Sequence, residues 1–435
     1  MTGPRAPAHS EAYPRSSGDA SGVREANLVA ILSIIQHHGS VSRAQLSRLV
    51  GLNKATVSSL VQELESNDLI APRGMVAPSR GRPAVLYSLN GQAGTAIGIH
   101  IDSHQVHVAL TDFSGRIETR WRLPLGHSED HTKLSRPLQN LMRQALLHVK
   151  NARKRVLGIG VSVPGVVDLS TNTLLAAPHI GLQDFSVARE LHRLSDAPVY
   201  VENEAKAAAM GEWLLGAARG ANNFLYLSGG WGLGGAVVLD GNVFRGSQGF
   251  AGIVGHMVVD PHGPVCSCGA KGCWETLVSL PAMARTLGVM SRQARPVHAT
   301  EVLEEAILEA VIDHVRAAPD RSQKALDQVG RYLGVGIGNL ISAFNPSLIV
   351  LGRAFAILAP YLLPSINETL GVGLFARFRR CVAIAPSTLG YDAPLIGAAC
   401  VVIRQVLARP RESRRAEAAH PLGKERQTLI TRLRR

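Results

Sequence analysis

The sequence predicts an α/β protein with a separate, mostly helical block near its N-terminus. The chain has 435 residues, which is more than one domain of ordinary size contains. From residue 91 onwards, short β-branched runs alternate with glycine-rich loops and longer helical stretches, as in an α/β fold. The preceding block instead has helical periodicity. We therefore divide the chain into a disordered arm over 1–22, a head over 23–90, an α/β domain over 91–403 and a basic tail over 404–435.

Composition excludes several classes of protein. Hydrophobic residues make up 46% of the chain, which is too many for wholesale disorder. We find no apolar run near the roughly 18 residues that a membrane span needs, and the first 25 residues lack the apolar core of a secretory signal. We therefore expect a cytoplasmic protein with no membrane partner, whose five cysteines are reduced.

The positive charge is concentrated at the two ends of the chain. The formal net charge is +13, yet residues 1–91 carry nine basic and six acidic side chains, and residues 404–435 carry ten and three. The long middle is therefore nearly balanced. Basic ends favour nucleic acid as a partner, but a basic tail is equally typical of a solvated appendage.

The head predicts three helices in succession. Gly39 is a natural end for the first helix, because glycine tolerates a left-handed C-cap. Ser42 and Gln45 form a capping-box pattern that opens the second helix, and Asn53 can cap the third. The side chains expected to face the core are Leu28, Ile31, Leu32 and Ile35, then Leu46, Leu49 and Val50, then Val57, Leu60, Val61 and Leu64.

The outer side of the third helix has the chemistry of a DNA-reading surface. Short polar side chains at a helix start can reach base edges in the major groove, and a lysine can contact phosphate. Strands from Leu69 and over 84–89 predict a wing, and the arginines at its tip suit a narrow minor groove. The alternative is a three-helix module that contacts another protein. The candidate DNA-binding residues of this winged helix-turn-helix are Lys54, Thr56, Ser58, Ser59, Arg80 and Arg82.

The domain that follows alternates predicted strands with predicted helices. β-branched runs predict the strands, and i, i+3, i+4 apolar spacing predicts the helices. The strands are expected over 95–101, 106–111, 156–163, 224–227 and 236–239, and the helices over 301–317 and 323–343.

A cysteine cluster in this domain predicts a metal site. Cys266, Cys268 and Cys273 lie within eight residues, and His256 precedes them. Three thiolates and one imidazole form the closed tetrahedral set of a structural zinc ion, which leaves no open position for catalysis. A chance grouping of core cysteines is the alternative. The isolated pair, Cys381 and Cys400, is expected to be in the core.

These motifs together resemble the ROK family of repressors, open reading frames and sugar kinases. The resemblance covers roughly residues 24–402, and the N-terminal head fits the family's repressor branch. It implies an actin-like, ribonuclease H-like pair of α/β lobes with a ligand cleft between them. The motifs are the glycine-rich run 229–235, Asp240-Gly241, the runs 249–252 and 255–257, CSCGAKGCWE over 266–275, VENEAKAA over 201–208 and NPSLIVLG over 345–352.

The family includes kinases, but several residues here differ from the kinase pattern. His100 takes the place of the aspartate in the first phosphate loop, and the glycines that should follow are missing. Trp231 stands where the second loop carries a small hydroxyl residue, and Arg353 replaces a glycine. Glu204 replaces the aspartate base, and its carboxylate extends one methylene further. We therefore expect no phosphorylating activity and no catalytic residues.

The resemblance also implies a sugar site. Its expected ligands are Asn203, Glu204, His256 and Glu275, but Ile253 stands where the family has a further glutamate. Because an alkyl side chain cannot pair with hydroxyl groups, the expected ligand lacks a hydroxyl, carries an apolar substituent, or is absent.

The combined expectation is a transcriptional regulator of carbohydrate-related genes, most simply a repressor. It would bind operator DNA as a homodimer or a dimer of dimers, with structural Zn²⁺ and a sugar or sugar-derivative effector. Two alternatives stay open: a sugar kinase that carries a DNA-binding head, and a zinc-stabilised regulator without a small ligand.

Overall fold

The structure is a computed structural model that describes residues 20–76, 83–102, 104–125, 132–177, 180–291, 304–373, 376–377 and 381–411. Two units are distinguished in it. The first contains the described residues up to Asn90 together with those from Val406 onwards, and the second runs from Gly91 to Gln405.

Three helices and a three-stranded antiparallel sheet form the first unit. In chain order they are α1 (Ala20–His38), β1 (Val41–Ser42), α2 (Arg43–Val50), α3 (Lys54–Ser66), β2 (Ile70–Val76) and β3 (Ala84–Leu89). The strand order is β1-β3-β2. The two-residue strand β1, which the sequence reading missed, pairs with β3 through Val41 and Ser42.

Local capping contacts explain why these helices begin and end where they do. The Ser42 hydroxyl accepts the N–H of Gln45, and the Gln45 side chain accepts the N–H of Ser42 in return. Gly51 ends α2 in the left-handed conformation, with φ of 74°. The Asn53 side chain accepts the N–H of Thr56 at 2.8 Å and so caps α3. The predicted caps are confirmed.

Two predictions about the head are wrong in detail. Leu49 is 49% exposed, and in the eight-residue helix α2 the rest of the head buries only the side chain of Leu46. Helix α1 begins at Ala20, inside the stretch predicted to be a disordered arm. The other predicted core residues of the head are buried, apart from Val50, which is half-buried.

The first half of the second unit is a five-stranded sheet with a small sheet beside it. The large sheet has the order β11-β7-β4-β5-β6, and the small one β10-β9-β8. The elements are β4 (Thr95–Ile101), β5 (Gln105–Asp112), β6 (Ile117–Pro124), α4 (Thr132–Asn151), β7 (Val156–Val163), β8 (Val166–Asp168), β9 (Thr173–Ala177), β10 (Leu182–Ser186), α5 (Val187–His192) and β11 (Val199–Asn203).

The second half repeats the same strand plan after helix α6 (Glu204–Leu215). Its sheet has the order β14-β13-β12-β15-β16. In chain order, the first three strands of each large sheet run antiparallel to one another, and the last two run parallel to the first strand. This repetition agrees with the predicted two-lobed α/β fold. The elements are β12 (Phe224–Gly229), β13 (Leu233–Leu239), β14 (Asn242–Val243), α7 (Trp274–Val278), α8 (Leu280–Leu287), α9 (Glu304–Ala317), α10 (Pro319–Phe344), β15 (Leu348–Arg353), α11 (Ala354–Leu370), β16 (Ala383–Pro386) and α12 (Ala393–Ala408).

Helix α12 packs against the first lobe by close approach of backbones. A Cβ on Gly160 of β7 would lie 1.9 Å from the Ala398 carbonyl oxygen, and a Cβ on Gly397 would lie 1.9 Å from that of Ala207 in α6. Only glycine fits at these two positions. The packing therefore fixes α6, whose first residue lies in the cleft described below.

Two expectations from the sequence do not hold for the C-terminal helix α12. By length and composition the stretch Gly390–Ala408 could cross a membrane, with a mean hydropathy of 1.3, contrary to the expectation of no such run. This single stretch is weak evidence for a span, since 67% of it is buried within the structure, as in a core helix. Helix α12 also continues to Ala408, so the predicted tail does not begin at residue 404.

Candidate functional site

The predicted DNA-reading residues of α3 lie at its N-terminal end, where the helix leaves them partly open to solvent. Lys54 and Ser59 are exposed, and Thr56 and Ser58 are half-buried. The Ser59 hydroxyl accepts a hydrogen bond from the Arg24 guanidinium at 3.1 Å, so it already has a partner within the head. The two wing-tip candidates, Arg80 and Arg82, lie outside the described residues.

An ion-pair cluster that the sequence reading missed joins the C-terminal segment to the head. Arg411 donates through Nε to Glu63 of α3 at 2.9 Å and lies 3.4 Å from Glu25 of α1. Arg24 contacts the other oxygen of Glu63 at 2.6 Å. Burial raises the pKa of Glu63, but the hydrogen bonds from Arg411 and Arg24 outweigh it, so the pKa is lowered. Arg411 thus belongs to the head rather than to a solvated tail.

A cleft of about 2180 Å³ in the second unit contains all four candidate sugar ligands. Asn203, Glu204, His256 and Glu275 line its wall, together with Ile253 and the glycine-rich turn between β12 and β13. Clefts of this kind, with a few convergent polar groups, are the usual form of a small-molecule site.

Asn203 has a structural role in the wall of this cleft. Its Oδ1 accepts the amides of Ala205 and Lys206 at 3.0 and 3.3 Å, which caps α6. Its Nδ2 donates to the carbonyl of Gly165 at 2.9 Å, which holds the loop before β8. One N–H of the side-chain amide therefore remains for a ligand.

Glu204 belongs to a group of three charges in which Glu304 is buried and Glu204 and Arg353 are half-buried. Arg353 contacts the Glu204 carboxylate at 3.2 Å and the Glu304 carboxylate at 3.1 Å. Burial raises the pKa of both carboxyls, and Arg353 opposes that rise. Burial lowers the pKa of Arg353, but the two carboxylates outweigh it, so the guanidinium keeps its charge. No feature of the sequence signals this group, because its members lie far apart along the chain.

The predicted metal ligands do converge in space. The four ligand atoms of His256, Cys266, Cys268 and Cys273 lie within 4.8 Å of one another. Nδ1 of His256 is 3.6 Å from the sulfur of Cys266, and Oε1 of Glu275 is 3.1 Å from the same sulfur. This cluster could hold a metal ion, and its donor set matches that of a structural zinc site. Of the two isolated cysteines, Cys400 is buried as predicted, but Cys381 is exposed.

Known sequences and structures resemble this chain over most of its length. The pattern of the ROK family matches residues 96–405, and that of a winged helix-turn-helix DNA-binding domain matches residues 24–71. The chain belongs to the ROK family.

Relatives within that family include both repressors and kinases. A putative xylose repressor of Caldicellulosiruptor sp. (strain Rt8B.4) is 33% identical over 399 residues, which is 90% of this chain and 99% of the relative. A solved ROK family transcriptional regulator, a homologue of the E. coli MLC protein, shares 27% identity with a TM-score of 0.71, covering 89% of this chain and 97% of that one. The ROK hexokinase of Thermus thermophilus shares 29% identity with a TM-score of 0.58, covering 72% of this chain and 99% of the hexokinase.

At the positions that the family resemblance assigns to the first phosphate loop, His100 and Asp102 each have partners within the protein. His100 is buried, and its Nδ1 lies 2.7 Å from the Ser162 hydroxyl. Burial lowers the pKa of His100 to about 4, so the ring is neutral at pH 7. Asp102 accepts the amides of His104 and Gln105, both at 2.7 Å, so its carboxylate closes its own turn. A phosphate loop needs free backbone N–H groups, whereas this segment presents a histidine side chain and a carboxylate.

Proposed function

We propose that this ROK protein is a DNA-binding transcriptional repressor that responds to a sugar and does not phosphorylate it. The observation that carries the proposal is the presence, in one chain, of a winged helix-turn-helix and a ROK domain. The relative named as a putative xylose repressor aligns with 90% of this chain and with 99% of its own length. A homodimer in the cytoplasm would place two heads on a two-fold symmetric operator.

The effector proposed first is D-xylose. The name of the repressor relative supports this choice, and so does the cleft wall. Ile253 lines the cleft and is 49% exposed, and by the family resemblance it stands in place of a glutamate. A pentose has one hydroxymethyl group fewer than a hexose, so it suits a wall with one hydroxyl acceptor fewer. N-acetylglucosamine, which carries an apolar methyl group, is the next sugar to test.

The bound metal in this proposal is zinc, held by His256 and the three clustered cysteines. Zinc would bind Nδ1 of His256, since that atom faces the sulfur of Cys266. Metal binding at one ring nitrogen leaves the proton on the other, which can then donate to a sugar hydroxyl. Glu275 contacts the same cluster, so two of the proposed sugar contacts depend on the metal loop.

The absence of kinase activity is proposed from the occupied phosphate-loop positions. His100 and Asp102 have partners within the protein, and Trp231 lines the cleft at the second glycine loop. Saturable binding of Mg·ATP, with phosphorylation of any sugar that binds, would instead support the kinase alternative.

Operator capture tests the proposed function. Genomic DNA retained by the purified protein is sequenced, and affinity for the recovered site is measured by fluorescence anisotropy with and without D-xylose, N-acetylglucosamine and D-glucose. We expect one sugar to weaken operator binding at least about tenfold, a coupling of roughly 1.4 kcal/mol. Arg82→Ala should weaken operator binding by about 1–3 kcal/mol while sugar binding stays unchanged. Retention of DNA without sequence preference would contradict the proposal.

A further inference from the structure

The glycine-rich turn between β12 and β13 holds a carboxylate that the protein itself supplies. Glu304, the first residue of α9, is 8% exposed, and its Oε2 accepts the backbone N–H of Trp231 at 3.3 Å. A Cβ built on Gly230 would lie 2.9 Å from that oxygen, so the carboxylate sits directly against the turn. Backbone N–H groups of glycine-rich turns are common anion sites. Glu304 therefore stands where an external anion would bind.

Arg353 links this internal carboxylate to the effector side of the cleft. Its Nη2 lies 3.1 Å from Oε1 of Glu304, and its Nη1 donates to Oε2 of Glu204 at 3.2 Å. The guanidinium also stacks 5.3 Å from the ring centre of Tyr391, and the side chain is only 11% exposed. One arginine thus holds two carboxylates that are 100 residues apart in the sequence.

The backbone of Arg353 is strained. Its φ of 54° and ψ of −129° lie in a region that favours glycine. A non-glycine residue persists in such a conformation only where its surroundings hold it there, and the two carboxylates and the aromatic ring do so. The position of the guanidinium is therefore well defined before any ligand arrives.

We propose that Glu304 is an internal anion that fills the anion site of the glycine-rich turn, and that Arg353 is a positioning residue that fixes Glu204 for an uncharged sugar effector. The part that concerns Glu204 rests on the proposed function. Because Arg353 takes Oε2 of Glu204, the other oxygen remains for a hydroxyl of the sugar. The free oxygen of Glu204 is then already positioned to accept a hydrogen bond from the sugar, and no bound nucleotide is needed to position it.

Removing the internal anion should create a site for an external one. In Glu304→Ala, Arg353 and the Trp231 amide lose a partner, so inorganic phosphate should bind, as followed by titration calorimetry. We expect an affinity at least about tenfold above that of the wild type, because charge-assisted hydrogen bonds would form. Glu305→Ala, an exposed neighbour on the same cleft, is the matched control and should gain nothing.

The volume-matched variant Glu304→Gln covers the case in which the alanine variant does not fold. Phosphate binding in a folded Glu304 variant but not in Glu305→Ala supports the proposal. The same phosphate affinity in all four proteins overturns it. This measurement uses no sugar, so its outcome does not depend on the proposed effector.

A second measurement addresses the link between Arg353 and Glu204. The charged groups that act on Glu204 are Arg353, Asp102 at the end of β4 and Glu304 of α9. Without Arg353 the carboxyl of Glu204 should protonate at higher pH, so the affinity of Arg353→Gln for D-xylose should fall as the pH is lowered from 8 to 6. The wild-type affinity should change less over that range. Identical pH profiles overturn the positioning role, whereas no binding of D-xylose by the wild type contradicts the proposed effector and leaves the phosphate measurement to decide on Glu304.

Discussion

Replacing Arg411 with methionine tests whether the C-terminal segment stabilises the DNA-binding head. The substitution keeps an unbranched stem but removes the contacts of the guanidinium with Glu63 at 2.9 Å, with Glu25 at 3.4 Å and with the Ser21 hydroxyl at 3.3 Å. The side chain is 34% exposed, and Glu63 keeps Arg24 as a partner. Hydrogen bonds to charged groups contribute about 1.5–3 kcal/mol when buried, and exposed ion pairs about 0.2–1 kcal/mol. We therefore expect a loss of about 1–2 kcal/mol.

Hydrogen–deuterium exchange of the intact protein is the suitable assay, because it reports on each unit separately. A loss of this size should speed exchange in α1 and α3 about 5- to 30-fold, while exchange in β12 stays unchanged. The control is Arg73→Met, since Arg73 is exposed on β2 and no ion pair involves it among the described residues.

The lowered pKa of Glu63 predicts how the effect of Arg411→Met changes with pH. The pKa of Glu63 is lowered in the folded protein, so its ion pairs stabilise the head above the ordinary pKa of glutamate. That contribution is lost as the pH falls through the lowered pKa. The difference between Arg411→Met and the wild type should therefore shrink in acid, and also in 1 M salt. Equal exchange rates at pH 7 in the wild type and both variants would refute the reasoning.

Three further predictions concern the head, the tail and the metal. Asn53→Ala removes the cap of α3 and should lower the stability of the head by about 1 kcal/mol. Hydrogen exchange at the start of that helix should become faster and operator binding weaker. Unchanged exchange would show that the cap contributes nothing. Deleting residues 412–435 should reduce the salt dependence of operator binding and leave sequence preference alone, and an unaltered slope would mean that these residues do not contact DNA. Removing the proposed zinc ion, or making Cys268→Ser, should abolish sugar binding in calorimetry. Operator binding should persist in part, because the head has a core of its own, and equal sugar affinity with and without added zinc would refute the coupling.

Features that depend on neighbouring residues could be predicted from the sequence. The capping box of Ser42 and Gln45 and the cap at Asn53 involve groups three residues apart, so residue type and spacing are sufficient. The cysteine cluster was predictable for the same reason, since three of its four ligands lie on one short loop. Helical spacing alone was insufficient for Leu49, whose burial depends on which part of the short helix α2 the rest of the head covers.

Contacts between distant residues could not be predicted in this way. Glu204, Glu304 and Arg353 begin or precede three different helices, and only the folding of both lobes brings them together. Arg411 looks like part of a basic tail in the sequence, yet it contacts Glu25 and Glu63 near the other end of the chain.

The sequence by itself determined the family, the helix caps, several of the strands and the grouping of His256 with the three clustered cysteines, because these depend on residue type and short spacing. Only the tertiary structure decided which charges neutralise one another. Coulomb energy depends on distance in space and on burial. Residues far apart in the sequence, such as Arg353 and Glu304 or Arg411 and Glu63, come close together only when the chain has folded. The state of the cleft, with Glu304 at the glycine-rich turn and Glu204 held by Arg353, is therefore a property of the fold rather than of any motif.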